Sequence, residues 1–460
     1  MDVTATAQPS TASPMAARTR LLLEAPIAPT LLRLAAPNVA VMLLVAATST
    51  FDAYFVGWLG PEALAGVSLV FPVMMLLQTM AAGGMGGGVA SAVARALGAG
   101  RRDDANALVA HALVIALAMA TIFTTGVLRG GPALYRAMGG TGAALEAAVA
   151  YSNAIFGGAL AFWLLHTLGS VVRGTGNMLL PAAVIVGAGA MHLTLCPSMI
   201  FGWGPFPELG VAGAGSSLVT SFSVGSLVLI GYLRSGRTLV RLSLRGIRFR
   251  RTLFWEILRV GAPGALNTVL TNVTVVVLTG LVGPFGTFAL AGYGMGARLE
   301  YLQIPLVFGL GSALVTMVGT NIGAGHMVRA RRVAWVGAGL AATVTGSIGL
   351  FGAFFPSAWI GLFSADLEVL VAGAIYLRIV GPTYGFFGLG LALYFASQGA
   401  GRLLWPLVAG FARLLIATGG GWIAIRWFGG GLASLFAAIA IALVVYGATV
   451  AVAVKAGAWR

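Results

Sequence analysis

Apolar residues in this chain are not confined to one face of short periodic elements. They continue for whole stretches, broken by Pro, Gly and small groups of charges. A helix needs about 20 apolar residues to cross a bilayer, and counting stretches of that kind places twelve spans near 31–59, 66–94, 105–128, 143–172, 178–201, 211–233, 254–282, 288–321, 333–355, 367–396, 404–425 and 430–454. Hydrocarbon offers no partner for a free N–H or C=O, so each stretch is predicted helical and the fold class all-α, integral to the membrane. Residues 1–17, MDVTATAQPSTASPMAA, are small and polar without a periodic face and are predicted to form a disordered tail. Arg18 and Arg20 are followed by an apolar stretch, Leu31 to Leu59, longer than the core of a secretion signal, so the first span is expected to be retained.

Composition excludes the soluble alternatives. Charged residues make up 8% of the 460 and hydrophobic ones 59%, where soluble domains carry about 25% charge. The net charge of +15 does not point to nucleic acid, because 26 of the 27 bases are Arg scattered between apolar stretches with no aromatic-rich basic face. The bases follow the positive-inside rule instead. With a cytoplasmic N-terminus, 20 fall on inner segments, against Arg129, Arg136 and Arg426 outside, which puts both termini in the cytoplasm. Cys196 is the single Cys and Lys455 the single Lys, so an intrachain disulfide, a Cys-rich metal site and a GxxxxGK phosphate loop are all excluded. No enzyme activity, metal or cofactor is expected.

The densest basic segment, Arg234 to Arg251, lies near the midpoint, and the two sides of it are related. Ala36-Pro37 returns as Ala262-Pro263, Gly60 as Gly286 and the ALAG of 63–66 at 289–292, each 226 residues on. The GAG of 98–100 returns at 323–325, Tyr151 as Tyr376, and Gly174, Gly176 and Pro181 as Gly399, Gly401 and Pro406, each 225 residues on. Six spans per copy is an even number, so the copies share one orientation, related by an axis along the membrane normal. The expected organisation is an N-lobe over 18–233, a basic cytoplasmic connector over 234–253 and a C-lobe over 254–460, two pseudo-symmetric six-helix lobes around a central cleft.

The same anchors resemble a family pattern. FDAYFVGWLGPEALAG at 51–66, RALGAGRRDDA at 95–105, RGTGNMLLP at 173–181, IFGWGPFPELGVAGAG at 200–215, FGTFALAGYGMGARLE at 285–300, VGTNIGAG at 318–325 and YLRIVGP at 376–382 are similar, in order and spacing, to the multidrug and toxic compound extrusion (MATE) transporters. The resemblance covers about residues 25–455. It implies twelve helices in two lobes, alternating access, and export of organic cations in exchange for protons or sodium from a cell inner membrane.

Residues that can carry the coupling are few. Asp52 lies 19 residues beyond Arg33 in the first span, and a carboxylate at membrane depth costs at least about 2.5–3.5 kcal/mol, so it is expected to face a cavity or a partner. The resemblance makes this first-helix Asp a coupling residue. His192 and Cys196, four apart in the fifth span, share a helix face and are its expected partners. In sodium-binding members of the family these positions resemble Asn and Asp or Asn. His and Cys supply no hard oxygen donors, which favours a proton over sodium; the plain alternative is a buried His bonded to a carbonyl.

Glu300, in the eighth span, is the other internal acid, expected either to bind cargo or to form an ion pair with Arg298, Arg378 or Arg413. Asn267, Thr271 and Asn272 form a polar cluster in span seven. Tyr54 beside Asp52, with Phe51, Phe55, Phe162 and Trp163, can stack on a flat cation, although helical spacing suits ordinary packing equally. His111 and His166 carry no motif and are expected to be satisfied internally. The reading is a monomeric, proton-driven antiporter of small amphipathic organic cations in the lipid bilayer. Its rival is a flippase for lipid-linked saccharides, which needs Arg298, Arg378 and Arg413 to face inward.

Overall fold

The computed structural model describes residues 14–236, 238–243 and 248–459. Among the described residues there is no strand. Twelve long helical segments cross the bundle: α1 (Ile27–Gly57), α2 (Pro61–Gly98), α3 (Arg102–Ala137), α4 (Gly142–Gly157 continued as Ala159–Gly174), α5 (Leu179–Phe201), α6 (Val211–Arg234), α7 (Arg251–Val282), α8 (Thr287–Gly323), α9 (Met327–Phe354), α10 (Leu367–Ala400), α11 (Leu404–Arg426) and α12 (Leu432–Ala456). Among the described residues ten of them are long and apolar enough to span, and α4 makes an eleventh if its two bent halves are one span. The tail expected over 1–17 lies outside the described residues as far as position 13. From Pro14 the chain is helical to Glu24, and Asn321 donates to the Leu22 carbonyl at 3.1 Å, holding this short helix against the end of α8.

The turns show the duplication in their backbone. Gly60 (φ 110°, ψ 168°) and Gly286 (φ 101°, ψ 169°) precede α2 and α8 in one left-handed conformation that a side chain rarely tolerates. Pro61 then opens α2, where its missing N–H costs nothing. Past each turn, Gly66 lies against the backbone of Ala148 in α4, and Gly292 against that of Gly373 in α10. α4 bends by 46° at Gly158, and a short 3-10 turn, Gly381–Thr383, breaks α10 at the matching place.

Each lobe buries its own apolar cluster. Phe156, Phe162, Trp163 and Leu168 belong to the first, and Tyr376, Tyr384, Phe436 and Leu443 to the second. A third cluster joins Leu31, Ala35 and Ala90 to Val307, Leu314 and Leu393 across the lobe junction. In a membrane such junctions rely on close packing, so small residues line them. An ideal Cβ on Gly98 would lie 2.1 Å from the Thr320 carbonyl oxygen, and one on Gly323 would lie 2.2 Å from the Arg95 carbonyl oxygen. Arg95 and Thr320 are themselves 225 apart. The crossing of α2 and α8 is therefore reciprocal, as a two-fold along the bundle demands.

Polar contacts secure that crossing. Arg95 donates to Glu256 of α7 at 3.0 Å and to the Gly399 carbonyl of α10 at 3.3 Å, and Arg259 reaches the same Glu256 at 2.6 Å. Gln398 donates to the Gly83 carbonyl at 3.1 Å. The run of Gly83 to Gly88 serves packing and bending together: Gly84 and Gly88 abut Ala265 and Gly261 of α7, and a π-helical turn occupies Met80–Met85. The connector expected over 234–253 ends earlier, because α7 already begins at Arg251; positions 237 and 244–247 lie outside the described residues. The Arg250 and Arg241 backbone N–H groups donate to His111 and Asn106 of α3 at 2.9 and 2.7 Å.

Replacing Gly323 by Val forces a side chain against the Arg95 backbone, and overpacking of that kind costs about 1–3 kcal/mol. Gly323→Val is expected to lower the melting temperature of the purified protein, whereas Gly339→Ala, on α9 with open space around it, is not. Equal melting temperatures for wild type and Gly323→Val would show the crossing to be looser than described.

Candidate functional site

The candidates of the first lobe converge. Asp52 lies in the last two turns of α1, while His192 and Cys196 stand one turn apart on α5 and face it. His192 Nε2 is 2.7 Å from Asp52 Oδ1, and Cys196 Sγ donates to the same oxygen at 3.7 Å. Behind them, Ser217 of α6 is 2.9 Å from His192 Nδ1. The Ser217 hydroxyl also lies 2.8 Å from the Ala214 carbonyl, so its one hydrogen can serve either partner. The imidazole tautomer follows that hydroxyl: Nδ1–H donates to Ser217, or Nδ1 accepts from it and Nε2–H donates to Asp52.

Exposure gives this cluster a direction. The His192 side chain is 1% exposed and that of Asp52 19%, so exchange with water runs through the carboxylate. The donor atoms of Asp52, His192 and Cys196 lie within 4.8 Å of one another. A hard cation such as sodium finds one carboxylate there beside a nitrogen and a sulfur, a poor oxygen shell. The 2.7 Å contact between His192 and Asp52 is a hydrogen-bond length.

The second lobe carries a separate polar chamber. Asn267, Thr271 and Asn272 of α7 line a cavity of about 170 Å³ together with Phe308, Phe387, Tyr394, Tyr446 and Arg413. An adjoining cavity of about 60 Å³ shares Thr271, Phe387 and Arg413 with it and holds Glu300, Tyr293 and Tyr376. The Tyr376 hydroxyl donates to Glu300 Oε2 at 3.4 Å. The ion pair considered for Glu300 does not form: among the described residues no Arg or Lys lies within 4.0 Å of it. Arg298 and Arg378 are exposed, Arg298 over the ring of Phe363 at 5.3 Å. Only Arg413 turns inward.

Other expectations fare unevenly. Tyr54 is 57% exposed and packs edge-on against Phe55 and Trp58, away from the His192 cluster; two residues along a helix point to opposite sides. Phe162 and Trp163 are fully buried in lobe packing, Phe162 4.7 Å from Phe222, and do not line a cavity. His111 is satisfied at both nitrogens, by the Ala107 carbonyl and the Arg250 N–H. His166 departs from expectation, since its buried Nε2 has no partner among the described residues. Ser217 was not among the sequence candidates. Its only signal is its place in the polar run Ser216, Ser217, Thr220, Ser221 of an otherwise apolar span.

A family model described as MatE matches residues 37–197 and 263–423, two equal segments offset by the repeat distance. The chain belongs to the MATE family. MATE proteins are transporters rather than enzymes, they sit in membranes, and they handle small molecules. Among relatives, the FAD transporter of Shewanella oneidensis is 29% identical over 399 residues, covering 86% of this chain and 87% of the relative. The probable multidrug resistance protein NorM of Thermotoga maritima is 26% identical over 418 residues, covering 87% and 86%. A crystal structure of a MATE in the bent conformation superposes with a TM-score of 0.86 at 25% identity, covering 94% of this chain and 95% of the other. The two-lobe, twelve-helix architecture is that of the family.

Within this MATE fold, Ser217 is what fixes the His192 ring. Ser217→Ala leaves the buried Nδ1 of His192 unpaired, a loss of about 1–3 kcal/mol. The variant is expected to unfold at correspondingly lower denaturant, with Ser223→Ala on the same helix, whose hydroxyl bonds only within its own turn, as the near-neutral control. Equal losses for the two would remove Ser217 from the cluster.

Proposed function

We propose that this MATE transporter exports amphipathic organic cations and drugs across the cell inner membrane, with both termini cytoplasmic, by alternating access driven by inward proton movement. The observation that carries the coupling is the Asp52–His192 contact of 2.7 Å backed by Ser217. A hydrogen bond between Asp52 and His192 joins α1 to α5, so a change of charge on that pair acts on the position of α1. Asp52 is the proton carrier, being the exposed member. His192 positions it and shares the proton, and Cys196 completes the contact. Protonation from the outer side is what returns the emptied carrier.

Cargo recognition falls to the second lobe and the cleft beside it. Glu300 supplies negative charge, and the rings of Tyr293, Tyr301 and Tyr376 in its chamber supply aromatic faces for a cation. Names among the relatives, multidrug resistance protein NorM and an FAD transporter, support export of bulky aromatic compounds. The flippase alternative requires three converging Arg, and of the three only Arg413 lines the second-lobe cavities described above.

Proteoliposomes separate the parts of this reading. Asp52→Asn is expected to insert and bind a cationic dye yet to lose dye transport driven by a pH gradient, by two orders of magnitude or more if the shared proton is the coupling element. A sodium gradient at fixed pH is expected to drive almost no transport in wild type. Undiminished pH-driven transport by Asp52→Asn, or full-rate transport on sodium alone, would reject proton coupling at this site.

A further inference from the structure

Arg413 is the one charged side chain on the wall of the larger second-lobe cavity. Its guanidinium lies 5.9 Å from the ring centre of Phe387 and 5.6 Å from that of Tyr446. It makes no hydrogen bond and no ion pair among the described residues, so a planar fork of five N–H donors is left unmet. A cation held inside a membrane bundle is costly unless paired. Glu300 sits in the adjoining chamber, but not within 4.0 Å. The Asn267 side chain, on the same cavity, also makes no hydrogen bond among the described residues, and its neighbours Thr271 and Asn272 spend their donors on carbonyls of their own helix at 3.0 and 2.9 Å.

Size and lining say what completes the site. An apolar cavity of about 150 Å³ takes a benzene; at about 170 Å³ this one takes an aromatic ring together with a small polar substituent. We infer that the cavity binds the acidic group of an aromatic cargo, the anion on the Arg413 fork and its ring against Phe387, Tyr394 and Tyr446, with Asn267 meeting a ring substituent. This rests on the export reading and extends it, from organic cations to zwitterionic and anionic aromatic compounds. An Arg fork reads a carboxylate or a phosphate with two parallel bonds, whereas a cation in the same cavity would meet repulsion.

The test compares two isosteres, benzoate and benzamide, by calorimetric titration of the full-length protein in nanodiscs of phosphatidylcholine alone, so that no acidic lipid competes. A hydrogen bond to a charged group contributes about 1.5–3 kcal/mol, so wild type is expected to prefer the carboxylate by about tenfold to a hundredfold. Arg413→Gln is expected to abolish the preference and Arg413→Lys to retain part of it. Glu300→Gln is expected to strengthen benzoate binding by removing a rival charge. Equal affinity for the two compounds in wild type overturns the inference without recourse to any variant, as does a preference that survives Arg413→Gln. Asp52→Asn is expected to leave the preference intact, so that failure of proton coupling and failure of this site read out separately; loss of the preference in that variant would overturn the assignment to the second lobe.

Discussion

Polar groups within the spans depend on partners inside the protein, because the bilayer supplies none. That constraint accounts for the helices, and it also accounts for where charge is tolerated. Arg95, 7% exposed, is held by the Glu256 carboxylate and by the Gly399 and Glu256 carbonyls at the lobe crossing. Asp52 lies against His192, which lies against Ser217 of the next helix. Arg413 has no hydrogen bond or ion pair among the described residues, and it lines a cavity.

Close packing of small residues does the mechanical work that the hydrophobic effect cannot do between helices in lipid. Gly98 and Gly323 bring α2 and α8 to backbone contact, and Gly84 and Gly88 do the same against α7. These contacts gather at one end of the bundle together with Arg95, Glu256 and Arg259. Under the proposed alternating access, one lobe would rock against the other about this joined end rather than either refolding.

Duplication preserved the scaffold and let the chemistry diverge. Tyr151 and Tyr376 occupy equivalent places on α4 and α10, and each points its hydroxyl at the equivalent residue of α2 or α8. In the first lobe that residue is Met74, at 3.9 Å, and in the second it is Glu300, at 3.4 Å. Conversely, the counterpart of Asp52 one repeat on is Leu278 and that of His192 is Ala417, both buried in the second lobe's apolar cluster. One lobe thus holds an acid paired with an imidazole, and the other an acid beside phenols and an unpaired guanidinium. The proposal assigns coupling to the first and cargo to the second.

The sequence alone determined the membrane class, the twelve spans, the repeat and the pairing of Asp52 with α5, since length, apolarity and four-residue spacing are local properties written along one strand of text. It left Glu300 between two readings, and it placed Tyr54 in a site that the helix turns it away from. Which of Arg298, Arg378 and Arg413 faces inward depends on how α8, α10 and α11 are rotated against their neighbours, and packing between helices sets that rotation. The same holds for Ser217, which reaches His192 only because α6 lies alongside α5, and for the cavity itself, whose walls come from six helices and from residues as far apart as Thr79 and Tyr446. Periodicity fixes what each helix offers; only the tertiary structure decides what it is offered to.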